Sequence, residues 1–222
     1  MKSDKSNSFW PSYTDLMTSL FFIMLVLFVL VFAKQQQQIK DLERVLAVVN
    51  AVDENLKPLK NDTALFIYEK EYRRFKLSFD VKFQKDRFSI DNNGLFNYDN
   101  TKINILKAGL KLQSVIKQLK LAKDNDESKK NISYILVIAG YASNDGTDEY
   151  HNYELSYKRA YYLKKYWENV GIDFEAPEFN SLIDLQISGN GWGGVGRVPF
   201  ENEEANQRFL IQIFPKIGDI KK

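Results

Sequence analysis

No cysteine occurs in the 222 residues, which excludes a disulfide scaffold, a thiolate metal site and a cysteine nucleophile. Histidine is nearly as scarce. The single copy, His151, is too little for a zinc hydrolase or a Ser-His-Asp relay, and it reads as an exposed loop residue. An excess of charge of one sign is also missing. Thirty-one Lys and Arg against 29 Asp and Glu leave a net +2, without the basic surplus of a nucleic-acid-binding face. The glycine-rich stretch GNGWGGVG at 189–196 lacks the terminal G-K-[ST] of a phosphate loop and reads as a surface loop. These absences predict a protein that is not an enzyme, holds no cofactor or metal, and binds no nucleic acid.

What is present is unevenly distributed. The overall composition, 44% hydrophobic and 27% charged, is that of a folded chain. Yet residues 16–33, LMTSLFFIMLVLFVLVFA, carry no charge at all. At 1.5 Å per residue that run spans about 27 Å, close to the ~30 Å hydrocarbon core of a bilayer. A signal peptide would have a shorter apolar region and an A-x-A-like cleavage site. Here the run continues into Lys34 and four glutamines, so an uncleaved membrane helix is expected. A short tail, 1–10, precedes it and ends in Phe9-Trp10, aromatics suited to the membrane interface. The helix is placed at 11–33. Pro11 fits a helix start.

A helical linker is expected at 34–60. Ile39, Leu42, Leu46 and Val49 recur at three- and four-residue spacing, forming a seam about two heptads long. It suits either two copies leaving the membrane side by side or a single helix packed on its own domain. Pro58 and the polar LKNDT stretch mark a boundary near 60.

From 61 to 222 the pattern alternates between strands and helices, giving an α+β domain with a mixed sheet. Period-two alternation from Phe75 to Phe83 predicts a half-buried strand, with residues 87–91 as its partner and Asn92-Asn93-Gly94 as a turn. A helix is predicted over 103–121, with Leu106, Leu110, Val115, Ile116 and Leu119 on its apolar side. The continuous run 134–139 reads as a central strand. A second helix is predicted over 154–170, burying Ser156, Ala160, Leu163, Trp167 and Val170, with Gly171 as its stop. Residues 182–187 and 209–214 supply the remaining strands.

One carboxylate stands at the mouth of the apolar run. On a helix, Ser12, Asp15, Ser19 and Phe22 share a face, with Thr18 beside them. A carboxylate in lipid is costly and must face protein or water, which is where an ion carrier belongs. Ser12-x-x-Asp15 also fits a capping box, in which Asp15 merely satisfies a backbone N–H.

The segment Trp10-Pro-Ser-Tyr13-Thr-Asp15-Leu-Met17-Thr18-Ser-Leu-Phe21-Phe22 resembles the membrane segment of MotB-type stator proteins. The resemblance implies that Asp15 carries the ion of a rotary motor, with Thr18 and Ser19 lining the pathway. It also implies two copies of this chain inside a ring of five MotA- or ZorA-like subunits. A helix after the span plugs the inactive channel in flagellar relatives, and residues 39–56 correspond to it.

A second resemblance covers roughly 85–215. Ile138-Ala-Gly140-Tyr141-Ala, Gly146 and Asn152-Tyr-Glu-Leu155-Ser156-Tyr-Lys-Arg159-Ala160 are similar to the OmpA-like pattern. So are Gly171-Ile172, Gly189-x-Gly191, Pro199 and Asn206-Gln-Arg208-Phe209 further on. This implies an OmpA-like α/β sandwich that binds peptidoglycan, with an arginine and an aspartate gripping the carboxylate and amine of diaminopimelate. Arg159 occupies the arginine position. Its alternative role is an ion pair on the helix surface. Ser143 stands at the aspartate position and supplies no charge; Asn144, Asp145 and Asp148 are the nearby substitutes, and Asn152 completes the peptidoglycan-binding group.

The two resemblances imply a single-pass inner-membrane protein with its C-terminal domain in the periplasm. Charge bias does not decide the orientation, because Lys2 and Lys5 precede the span while Lys34, Lys40 and Arg44 follow it. A short tail and the altered loop favour a ZorB-like subunit of Zorya anti-phage defence. A flagellar stator and a passive wall anchor without ion traffic are the alternatives.

Overall fold

The computed structural model describes residues 9–130, 132–144, 146, 148–197 and 200–217. Two units are resolved by contact, one up to Val49 and one from Asn50 onward.

The described part of the first unit lies within one element. Helix α1, Phe9–Asn55, has 47 residues and is about 70 Å long. It passes from the apolar run into the glutamines without a break. Across 16–32 its large apolar side chains are exposed, including Phe21, Phe22, Phe28 and Phe32, as on a helix whose solvent is lipid. It is the one helix, among the described residues, long and apolar enough to cross a membrane. Ile39, Leu42 and Leu46 are exposed as well.

The second unit begins within the last two turns of α1, where Val52 is buried, and continues through buried Leu56 and Leu59 at the short helix α2, Lys57–Lys60. A hairpin follows, β1 at Phe66–Glu69 and β2 at Arg74–Leu77. Then come α3 at Tyr98–Asp124, β3 at Ile132–Gly140, α4 at Glu149–Asn169, β4 at Ile183–Gly189 and β5 at Phe209–Ile217. The sheet order is β1-β2-β5-β3-β4. β3 pairs in parallel with β4 and antiparallel with β5, so the expected central strand is central and the sheet is mixed. The chain is thus an α+β fold, a long apolar helix followed by a five-stranded mixed sheet with helices.

Two expectations need correction. The alternation from Phe75 to Phe83 is not one strand. It leaves the sheet after Leu77, and Phe83 then makes an isolated bridge to Leu95. Residues 87–91 form no strand, because the Arg87 N–H turns back onto the Gln84 carbonyl. The turn at 92–94 does form, capped by Asp91, whose Oδ1 accepts from the Asn93 and Gly94 N–H groups at 2.9 and 2.7 Å.

The buried face of α3 is also rotated from the expected one. Ile105, Ala108, Gly109 and Leu112 are buried with Val115, Ile116 and Leu119, whereas Leu110 is 49% exposed. The cause is Trp167 of α4. Its indole lies against Gly109 and donates to the Ile105 carbonyl at 2.9 Å, and a Cβ on Gly109 would lie 2.4 Å from Nε1. Leu112→Ala is therefore expected to cost about 2–5 kcal/mol and Leu110→Ala less than about 0.5. Urea denaturation of the two variants, side by side, checks the face.

Candidate functional site

On α1, Asp15 lies about two turns beyond the first described helical residue, Phe9, away from a capping position. Thr18 and Ser19 follow it at i+3 and i+4, on the same side and equally exposed. The Thr18 hydroxyl donates to the Thr14 carbonyl at 2.8 Å. Its proton is committed to its own helix, so what it presents outward is a lone pair. This is a polar stripe of one carboxylate and two hydroxyls on an apolar helix.

In the second unit the residues that the sequence singled out gather where β3 ends and α4 begins. α4 can approach because Gly140 and Gly189, opposite each other in register, present bare backbone to it. Cβ atoms there would lie 2.1 Å from the Ser156 carbonyl oxygen and 2.5 Å from the Tyr157 nitrogen. Ser156 ties the loop after β4 to the helix, accepting from the Gly191 N–H at 2.9 Å while donating to the Tyr153 carbonyl at 2.8 Å. Asn152 is buried and donates to the Asp148 carbonyl at 3.2 Å.

Arg159 is 2% exposed, so its side chain does not lie on the helix surface. Its Nη1 donates to the Tyr141 carbonyl at 3.3 Å and its Nε to the Arg87 carbonyl at 3.2 Å. Its guanidinium also stacks over Phe83 at 4.4 Å. The guanidinium thus lies beneath the loop that leaves β3, positioned by main-chain oxygens.

Ser143 and Asn144 are in that loop. Ser143 Oγ accepts from Gln207 Nε2 at 3.1 Å, and Gln207 Oε1 accepts from the Phe83 N–H at 2.8 Å. The Asn144 N–H donates to Glu203 at 2.9 Å. Glu203 also accepts from Asn206 at 3.2 Å and pairs with Arg197, whose guanidinium stacks over Trp192. Asp145 and Pro199 lie outside the described residues, as do Lys2 and Lys5.

The sequence reading missed Glu203 and Arg197, and Gln207 entered it only as part of the motif Asn206-Gln-Arg208-Phe209, without a role. The polar segment 200–206 forms a 3-10 helix and has no apolar period to draw notice. Within it, only its last residue, Asn206, belonged to a quoted motif. His151 was misplaced: it lies in the first turn of α4, with Nε2 3.0 Å from Asp86 Oδ1.

Behind this cluster, Arg74 and Arg208 both reach the loop after β4. Arg74 donates to the Val195 carbonyl at 2.9 Å and to Glu69 at 2.5 Å, and Arg208 donates to the Gly196 carbonyl at 2.6 Å. Burial lowers the Arg208 pKa, opposed by Tyr141 and Glu69. No group of His, Cys, Asp and Glu suited to a metal ion occurs among the described residues.

The mixed sheet with α4 crossing from β3 to β4 is similar to several solved structures. One is a putative MotB-like protein from Desulfovibrio vulgaris, 13% identical over 78% of this chain and 98% of that one, with a TM-score of 0.45. Another is the OmpA-like domain of FopA1 from Francisella tularensis, 22% identical over 65% and 73%, with a TM-score of 0.38. A third is the peptidoglycan-associated lipoprotein from Burkholderia pseudomallei, 18% identical over 61% and 88%, with a TM-score of 0.33. No protein-family model and no curated protein matches the chain.

Proposed function

We propose that this chain is the wall-anchoring B-type subunit of an ion-driven rotary motor. Asp15 takes up and releases the ion, proton or sodium, with Thr18 and Ser19 as hydroxyl partners. The second unit is an OmpA-like domain that holds peptidoglycan in the periplasm, so the chain crosses the inner membrane once. The observation that carries the reading is the pairing of two sites on one chain: a carboxylate stripe inside a membrane-length helix, and a buried guanidinium under a loop of a soluble mixed-sheet unit.

A guanidinium presents parallel N–H donors that match a carboxylate, which suits Arg159 to the carboxylate of a diaminopimelate stem peptide. Ser143, Asn144 and Asn152 lie at the loop end of that site, and Asp145 follows Asn144 in the sequence. Glu203, bonded to the Asn144 N–H, supplies the carboxylate that Ser143 lacks. The exposed seam of Ile39, Leu42 and Leu46 is apolar surface suited to a second copy, consistent with two B chains inside a ring of five A-type subunits. A ZorB-like role in phage defence is our preferred system within this class, and a flagellar-type stator is the other.

Cosedimentation of the full chain, in detergent, with purified sacculi tests the wall-binding half. Arg159→Lys keeps the charge and loses the fork. It is expected to weaken binding about 10-fold or more, in line with the loss of a charge-assisted hydrogen bond. Wild-type chain left in the supernatant would contradict wall binding. Equal pelleting of the Arg159→Lys chain would make Arg159 a structural residue only.

A further inference from the structure

Arg159 is covered, and beside the Tyr141 carbonyl and the Phe83 ring one short segment contributes to the cover. Residues 84–88 make four separate contacts with α4, at Arg159 and up to about two turns from it. The Arg87 carbonyl accepts from Arg159 Nε at 3.2 Å. Phe88 packs on Tyr162 with ring centroids 4.8 Å apart, and the Lys158 ammonium lies 5.2 Å from the Phe88 ring. Asp86 Oδ1 lies 3.0 Å from His151 Nε2.

The segment is locally awkward. Asp86 has φ +57°, a left-handed conformation that an L-residue adopts at a cost. Its backbone is held by turn contacts, Arg87 N–H to Gln84 carbonyl and Gln84 N–H to Gly94 carbonyl, rather than by a sheet ladder. Both side chains of the Asp86–His151 contact are partly exposed, at 49% and 37%.

We infer that residues 84–88 form a strap that must lift before Arg159 can take a ligand carboxylate. The inference rests on the wall-binding reading for the ligand, but the strap itself does not. With the strap down, the Arg87 carbonyl occupies the Nε donor that a bidentate carboxylate would use. A ligand therefore binds only the lifted fraction of molecules, and its apparent affinity falls by that fraction. The Asp86–His151 contact is the outer latch. Because the Asp86–His151 contact lies about two turns along α4 from Arg159, it sets access and not recognition.

The test reads access and binding separately on the full chain in detergent. Arg159 reactivity towards phenylglyoxal, followed by peptide mass spectrometry, reports the lifted fraction without any wall ligand. The stem tripeptide L-Ala-D-Glu-diaminopimelate, titrated calorimetrically, reports binding. Asp86→Ala removes the latch without relieving the left-handed strain of the closed strap, and His151→Ala removes the latch from the other side. Each is expected to raise Arg159 modification about two- to five-fold, the range for one partly exposed hydrogen bond, and to raise tripeptide affinity by the same factor. The chain has no cysteine of its own, so Asp86→Cys with His151→Cys can be bridged by a short bis-maleimide. That closure should protect Arg159 and suppress binding.

Modification rates that do not change in the latch variants, or a bridged chain that binds the tripeptide normally, would overturn the strap. Modification that rises while no form of the chain binds the tripeptide would uphold the strap and refute the wall-binding reading instead.

Discussion

Gly140→Ala should destabilise the second unit by about 3 kcal/mol, the upper part of the range for overpacking a tight interior. The added methyl group would lie 2.1 Å from the Ser156 carbonyl oxygen and 3.1 Å from the Ala160 nitrogen. Both obstacles are helix backbone, so no rotamer change relieves them; α4 itself must move. Gly189, paired with Gly140 across the β3–β4 ladder, faces the same helix one residue further on, at Tyr157. The two glycines are one platform, and a methyl on either lifts the same helix. Gly140→Ala and Gly189→Ala combined should therefore cost less than the sum of the two. Thermal unfolding of the full chain in detergent would show a fall of roughly 6–12 °C for the single variant. Because α4 carries Asn152 and Arg159, sacculus binding should fall in the same variant. A melting temperature within a degree of wild type would mean that α4 does not sit on these glycines.

Much of this arrangement is visible in the sequence where one strong local signal dominates. The run 134–139 has no polar residue to place outside, and it becomes β3 between two neighbours. Gly171 ends α4 with φ +83°, its N–H bonded to the Glu168 carbonyl, as the sequence position suggests. Signals fail where a tertiary partner decides. Leu110 is large and apolar, yet the buried place on α3 belongs to Gly109, because an indole from another helix needs the space. Phe83 continues a period-two pattern, but its N–H goes to the Gln207 side chain and not to a ladder. Val170 keeps the helical period of α4 but sits at its C-terminal cap, 42% exposed.

The candidate site follows the same division. Arg159, Asn152, Ser143 and Asn144 could be marked because they stand in a recognisable order along the chain. The depth of Arg159, its cover at 84–88 and the carboxylate of Glu203 could not. Each depends on segments about 60 to 70 residues apart meeting in space.

Asp15→Asn should abolish ion-driven activity while leaving the chain folded. Asparagine has nearly the same shape and still forms hydrogen bonds, so α1 should persist and still meet its ring partner. What it cannot do is alternate between a charged and a neutral form. In the motor reading every step needs that alternation, with one elementary charge falling through 100 mV supplying about 2.3 kcal/mol. The effect is therefore a loss and not a reduction, and no other residue at 11–33 carries a charge to take over. Thr18→Ala, which removes one hydroxyl from the stripe, should only slow the flux.

The most direct measurement is ion flux in proteoliposomes holding the chain together with the A-type ring subunit that the motor reading requires, wild type against Asp15→Asn, with copurification of that subunit as the assembly control. The motor reading predicts intact assembly and flux indistinguishable from empty liposomes for Asp15→Asn. Flux retained at the wild-type level would contradict it. A wild-type chain that neither copurifies with the ring subunit nor conducts would leave a passive membrane anchor in its place.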